Sequence, residues 1–409
     1  MSTAAKGPLA ALLAAAFIVA LGYGIYLPVL PTMVEQLAGS ADPILKARHI
    51  GVLTAAFVAA SVPLAFLWGR ASDSIGRRPI LVVGLIGFAV TLAASAFAWS
   101  LPALYVVRLL NGGFAAAIAP TALAFIADTE FDNRRARAFG WISMASIAGF
   151  LVGPMLGGFA AELAPTSDAL TLQTIPFLLA LAAAAGAWIA LPGGRPPMCL
   201  AASEQPGSSG FISGEIRLLV LAAAAAAGLG AFEVGFTLRN EELAMSRGAL
   251  GLMFATCSVV MFAVQGLIFS PIITPTAARR LVAPAFVAMG IGLAAIPAIA
   301  SFGQILLAVS VVAASAGVVG PLLAYWISLV AGRSHGVELG IQSAVVSFGQ
   351  SAGSAGAGLL FGLRGPYDGA FLAFAAAMAI AAAASLTLPH RLAIAGIAPR
   401  TEAGRSVPQ

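Results

Sequence analysis

The sequence predicts an all-α membrane protein, with twelve transmembrane helices arranged as two pseudo-symmetric six-helix bundles. Three observations carry that expectation. Hydrophobic residues make up 60% of the 409 positions and charged residues 9%, against roughly 25% charged in a soluble domain. The apolar residues lie in runs long enough for spanning helices, each needing about 20 residues, and not in the alternating ten-residue strands of a barrel. The longest polar interruption falls near the middle of the chain.

In order, the apolar runs cover residues 8–30, 50–68, 80–98, 103–127, 138–161, 174–191, 216–238, 249–270, 282–300, 303–330, 338–361 and 369–388. The first is too long for the core of a typical signal peptide and reads as helix one, bent near its outer end by Pro28 and Pro31. A glycine- and arginine-rich loop separates the second from the third. The fourth carries Arg108, and the fifth is punctuated by glycines. The sixth ends before Gly193-Gly194 and Pro196-Pro197, which open a 192–215 linker. The expected domains are therefore 1–191, that cytoplasmic linker, and 216–409.

The net charge of +5 does not point to nucleic acid, because the basic residues form short clusters between apolar runs. With the N-terminus inside, inner loops and tails hold 15 Lys/Arg and outer loops five, with only Arg108 inside a span. That asymmetry is the positive-inside pattern and predicts two cytoplasmic termini. Nineteen of the 21 basic residues are Arg, which fits an Ala/Gly/Arg-biased bacterial genome, and the expected location is the bacterial inner membrane. All five Trp residues, at 68, 99, 141, 188 and 326, lie near predicted helix ends and are expected in the interfacial belts. Cys199 and Cys257 have neither disulfide nor metal spacing, and no cofactor motif is present.

Residues 69–79 read Gly-Arg-Ala-Ser-Asp-Ser-Ile-Gly-Arg-Arg-Pro, and 149–158 read Gly-Phe-Leu-Val-Gly-Pro-Met-Leu-Gly-Gly. The first resembles the helix 2–3 loop of the major facilitator superfamily. The second resembles the helix-5 signature of that superfamily's exporters, drug:proton antiporters above all, through Gly149, Gly153, Pro154, Gly157 and Gly158. Arg108 with Gly112 resembles the family's helix-4 motif, and Asp128 with Arg134-Arg135-Ala136-Arg137 its next cytoplasmic loop. A weak internal repeat supports the two-half reading, with Arg77-Arg78 answered by Arg279-Arg280.

The resemblance implies a proton-coupled exporter of small organic molecules, monomeric, embedded in the lipid bilayer. It implies a conformational latch made by Gly69, Asp73, Gly76, Arg77, Arg78, Asp128 and Arg135. In the family's architecture helices 1, 4, 7 and 10 line a central cavity, which implies Tyr23, Asn111, Phe232 and Tyr325, with Gln265, as substrate-facing side chains. Glu233 is the acidic residue well inside an apolar run, and intramembrane charges mark ion pathways and need partners. Glu233 and Arg108 are expected at a similar depth as the proton-coupling pair. The helix-10 acid of some relatives is replaced by Ala316-Gly317-Val318-Val319-Gly320-Pro321, so one carboxylate must suffice. The helix-11 polar set, Gln342, Ser343, Ser347, Gln350, Ser351 and Ser354, reads first as small-residue packing.

Other classes fit less well. A P-loop needs Gly-Lys-Ser/Thr, and neither Lys6 nor Lys46 follows Gly. An intramembrane metalloenzyme lacks its His-Glu-x-x-His. Uptake of a solute such as a sugar, or proton symport, is distinguished mainly by the 149–158 signature.

Overall fold

The computed structural model describes residues 3–39, 42–129, 132–163, 169–193, 213–268, 275–330, 335–361 and 368–388. The expected 192–215 linker, with Cys199, lies almost wholly outside them. The helices are α1 (Thr3–Ala38), α2 (Pro43–Ile75), α3 (Arg77–Ala96), α4 (Leu101–Ala115), α5 (Ile118–Thr129), α6 (Asp132–Leu163) and α7 (Ala169–Ala190). Beyond residue 212 come α8 (Ser213–Glu242), α9 (Arg247–Ile268), α10 (Pro275–Ala295), α11 (Phe302–Val330), α12 (His335–Leu359) and α13 (Asp368–Leu386). They make twelve crossings, because α4 and α5 form one.

The break between α4 and α5 follows from Pro120. Its ring displaces the carbonyl four residues back and its nitrogen offers no proton, so the helix loosens at Ala116–Ala117, where Ala117 N–H tightens onto the Phe114 carbonyl at 3.1 Å. Other ends are set by local chemistry. Asp42 accepts from Ile44 N–H at 2.9 Å with Pro43 opening α2, and Ser100 accepts from Ala103 N–H at 3.3 Å at the start of α4. Gly76 joins α2 to α3 at φ 113°, a conformation that side chains with a Cβ resist.

Among the described residues, ten helices are long and apolar enough to cross a membrane. Of the other two crossings, α7 holds a shorter apolar stretch, Phe177–Ala190. The second, α12, is diluted by its glutamines, serines and glycines. Buried apolar residues form two clusters, one centred on α3 (Leu81, Leu85, Phe88, Leu92) and one on α10 and α11 (Phe286, Met289, Val309, Val312). Trp326 belongs to the second and is 2% exposed. Its side chain faces the protein core, four residues before the end of α11.

Between two helix groups, the first α1–α7 and the second α8–α13, α2 packs on α12 and α6 on α9. Both crossings depend on glycine. A methyl group on Gly51 would lie 2.7 Å from the Ser354 carbonyl and 2.8 Å from the Gly358 Cα, and one on Gly251 would lie 2.6 Å from the Pro154 carbonyl. Gly358 lies against the Ala47 carbonyl and Gly158 against the Arg247 carbonyl. Gly51 and Gly251, Gly158 and Gly358, Pro154 and Ser354, and Ala47 and Arg247 are each 200 residues apart, so the two crossings are copies. Both lie near the end of the bundle that carries Lys46, opposite the end that carries Arg77.

Candidate functional site

Between the two helix groups lies a cavity of about 400 Å³, with walls from α1, α2, α4, α5, α6, α8, α9 and α12. That volume fits a small organic ligand. Its residues, among them Phe57, Ile142, Met261 and Ser347, sit on the Arg77 side of the glycine crossings along α2, α6, α9 and α12. The crossings therefore floor the cavity towards the Lys46 end.

Aromatic rings shape the wall. Tyr23 stacks on Phe57 and Phe150 with ring centres 5.0 and 6.0 Å apart, Phe150 meets Phe254 at 6.2 Å, and Phe254 meets Phe232 at 6.2 Å. These contacts run unbroken from α1 and α2 through α6 to α9 and α8.

The acidic group in this wall is Glu233, 3% exposed. The Tyr23 hydroxyl donates to its Oε2 at 2.7 Å, and Gln350 Nε2 lies 3.4 and 3.3 Å from Oε1 and Oε2. Small residues place Gln350 there. Gly349 and Gly353 of α12 lie against the carbonyls of Ala223 and Ala227, and Gly230 of α8 lies against the Gln350 carbonyl.

Arg108 is 1% exposed. Its guanidinium carbon sits 4.2 Å from the Tyr26 ring centre and 4.8 Å from that of Phe57. Its Nε and Nη1 have no hydrogen-bond partner among the described residues. The expected Arg108–Glu233 pair is thus joined through rings: Arg108 on Phe57, Phe57 on Tyr23, and the Tyr23 hydroxyl on Glu233. Among the described residues the two charges form no ion pair, because both aromatic side chains occupy the space between them.

Of the side chains expected at the cavity, Tyr23 and Phe232 line it. Asn111 does not: it faces α3 and donates to the Phe88 carbonyl at 3.2 Å and the Thr91 hydroxyl at 2.9 Å. Gln265 lies beyond Met261, outside the lining residues, and the Tyr325 side chain lies outside the described ones. Sequence reasoning missed Phe57, Phe150, Phe254 and Cys257, and it gave Gln350 a packing role. Phe150 lies inside the exporter motif, where its bulk among glycines is the one available signal.

Of the residues expected to form a latch, Asp73 and Asp128 meet Arg77. Its guanidinium bonds Asp73 at 2.5 Å, Asp128 at 2.9 Å and the Ser72 hydroxyl at 2.5 Å, tying α2, α3 and α5 together. Asp73 is therefore held locally, because α2 continues to Ile75 and puts Asp73 four residues before Arg77. Arg78 lies 3.8 Å over the Trp188 ring. A methyl group on Gly69 would meet no atom within 4 Å, and the Arg135 side chain lies outside the described residues.

In the 149–158 motif, Gly149, Gly153 and Gly157 each face a carbonyl of α1, those of Phe17, Leu21 and Ile25. Pro154 fills the space over Gly24, and Gly158 turns to α9. The motif seats α6 on α1 with one face and on α9 with another. Gly349, Gly353 and Gly358 repeat it in α12, 200 residues on.

At the Lys46 end, Lys46 bonds Glu35 of α1 at 3.0 Å and Glu241 of α8 at 2.9 Å. Both carboxylates border a second cavity of about 450 Å³. Arg239 pairs with Glu242 and donates to the Pro297 and Ile299 carbonyls at 3.0 and 3.1 Å.

Residues 12–232 match the profile of the Major Facilitator Superfamily. The chain is 25% identical to multidrug resistance protein 2 of Bacillus subtilis over 89% of its own length and 91% of that protein. It is 37% identical to the class B tetracycline resistance protein of Escherichia coli over 34% of its length, a stretch that spans only 33% of that relative. Its fold matches the crystal structure of a human organic anion transporter at TM-score 0.71 and 20% identity, over 94% of this chain and all of that one.

Proposed function

This chain belongs to the major facilitator superfamily, a membrane transporter and not an enzyme, and on that premise we propose that it exports small organic molecules in exchange for protons. The observation that carries the reading is Glu233, a buried carboxyl in the wall of the central cavity, bonded by one donor from each helix group. A carboxyl in such a place costs solvation when charged and loses that cost when it binds a proton or a cationic ligand. Proton and substrate then compete for one site, which is the requirement for exchange.

The cavity favours compact, largely apolar molecules with an aromatic surface, since rings stack on rings and a positive group gains from their faces. The names of its relatives, a multidrug and a tetracycline resistance protein, support efflux as the direction. The charge asymmetry of the loops supports a cytoplasmic Arg77 end, and with that orientation the glycine crossings close the cavity towards the outside. One proton moving in at about 100 mV and one pH unit supplies about 2.3 plus 1.4 kcal/mol. That sustains a gradient of roughly several hundredfold in a neutral substrate.

Reconstituted Glu233→Gln protein tests the reading. It is expected to lose accumulation driven by a pH gradient while retaining substrate exchange. Undiminished accumulation would mean that the proton travels elsewhere.

A further inference from the structure

An exchanger that binds proton and substrate at one carboxyl has a failure mode: the empty, charged carrier must not cross, or protons leak inward without export. We propose that Tyr23 is the residue that holds the empty carrier back. The inference rests on Glu233 as the proton carrier and concerns what couples its charge to the movement of the helices.

The geometry divides the donors to Glu233 by the body they belong to. Gln350 stands on α12, which is locked to α8 by glycine-to-carbonyl contacts at Gly349, Gly353 and Gly230, so it travels with Glu233. Tyr23 stands on α1, which is seated on α6 through Gly149, Gly153 and Gly157. Its 2.7 Å bond crosses the cavity wall between the two bodies. Separating the bodies at this depth therefore breaks the Tyr23 bond and leaves the Gln350 contact intact.

The charge state sets what that separation costs. A hydroxyl bonded to a carboxylate makes a charge-assisted bond, about twice as strong as one to a neutral acid. With Glu233 charged and the cavity empty, the bond opposes opening most. A proton, or a cationic ligand placed against the carboxylate, weakens it and frees the bodies. Among the described residues no other side chain replaces it across the two bodies: Cys257 of α9 lines the same cavity but belongs to the body that carries Glu233, and Arg108 of α4 stands behind the Phe57 and Tyr23 rings.

Tyr23→Phe removes the bond while keeping the ring in its stack on Phe57 and Phe150. In proteoliposomes with a trapped pH indicator and no substrate, this variant is expected to dissipate an imposed pH gradient faster than the native protein, on the order of tenfold or more. Two companions make the result decisive. Gln350→Leu, which removes the donor that moves with Glu233, is expected to leak no faster than native protein. Tyr23→Phe in a Glu233→Gln background is expected to show no leak, since no charge remains to return empty.

A native leak rate in Tyr23→Phe protein, folded by thermal unfolding in detergent, would overturn the proposal, as would equal leaks from Tyr23→Phe and Gln350→Leu. A leak that persists in the double variant would mark general loosening of the bundle and overturn it as well. Failure of the carrier reading itself looks different, because Glu233→Gln alone would then keep its pH-driven accumulation.

Discussion

Gly51 of α2 and Gly358 of α12 approach so closely that a methyl group on either would stand 2.8 Å from the Cα of the other. No side chain fits there, so Gly358→Leu is expected to hold the Lys46 end open. Native Cys257, in the cavity wall, reports it. In a Cys199→Ser background, an impermeant maleimide added from the Lys46 side should label Cys257 faster in Gly358→Leu than in the parent. Gly251→Leu, at the copied crossing, should act alike, and parental labelling in both would show that the crossings do not close the cavity at that end.

Lys46 fastens the same end with two partly exposed ion pairs. Exposed pairs are worth about 0.2–1 kcal/mol each and are screened by salt, so Lys46→Gln should raise Cys257 labelling only a few-fold. High salt should bring the native protein most of the way to the variant. An effect as large as that of Gly358→Leu would contradict this ranking.

Around Arg77 the two acids differ in burial. Asp128 is 28% exposed and joins α5 to α3, whereas Asp73 is 66% exposed and lies one turn from Arg77. Asp128→Asn is expected to lower the thermal midpoint in detergent more than Asp73→Asn. The reverse order would mean that Asp73 has a stronger partner in another conformation.

The two loop glycines also separate. Gly76→Ala must adopt φ 113° and ψ 157° and should cost about 1–3 kcal/mol. Gly69 is helical with open space around it, so Gly69→Ala should be neutral or stabilising by up to about 1 kcal/mol. Thermal unfolding of the pair checks this.

Arg108 has aromatic faces but no described acceptor at Nε or Nη1. Cation–π contact returns about 2 kcal/mol when desolvated, less than an unpaired buried charge costs. Arg108→Met is expected to raise the thermal midpoint while transport falls. A lower midpoint would show that the guanidinium is better satisfied than its contacts indicate.

Much of this architecture was legible because lipid imposes one solution on the backbone: apolar run length located the helices, and the scarcity of charge in those runs singled out Glu233 and Arg108. Their partners were not legible. Tyr23 and Gln350 stand 210 and 117 residues from Glu233, and whether a ring or an opposite charge fills the gap depends on helix rotation, which periodicity fixes poorly in a helix apolar all round. Asn111 was misplaced for the same reason, turned towards α3 instead of the cavity. The α4–α5 break was not read from the 103–127 run, because a proline such as Pro120 in a spanning helix often only bends it. The repeat of the 149–158 motif in α12 is hidden because Gln350, Ser351 and Ser354 replace Phe150, Leu151 and Pro154, leaving only glycine spacing to betray it.

The placement of Lys46 has a spectroscopic consequence. Lysine occurs in the chain only at positions 6 and 46, so reductive methylation with carbon-13 formaldehyde installs reporters on just two side-chain amines without any engineered residue. One of them is clasped between Glu35 and Glu241. Its methyl resonance should move and sharpen when those carboxylates part, giving a direct count of how often that end of the molecule opens under each combination of proton and substrate.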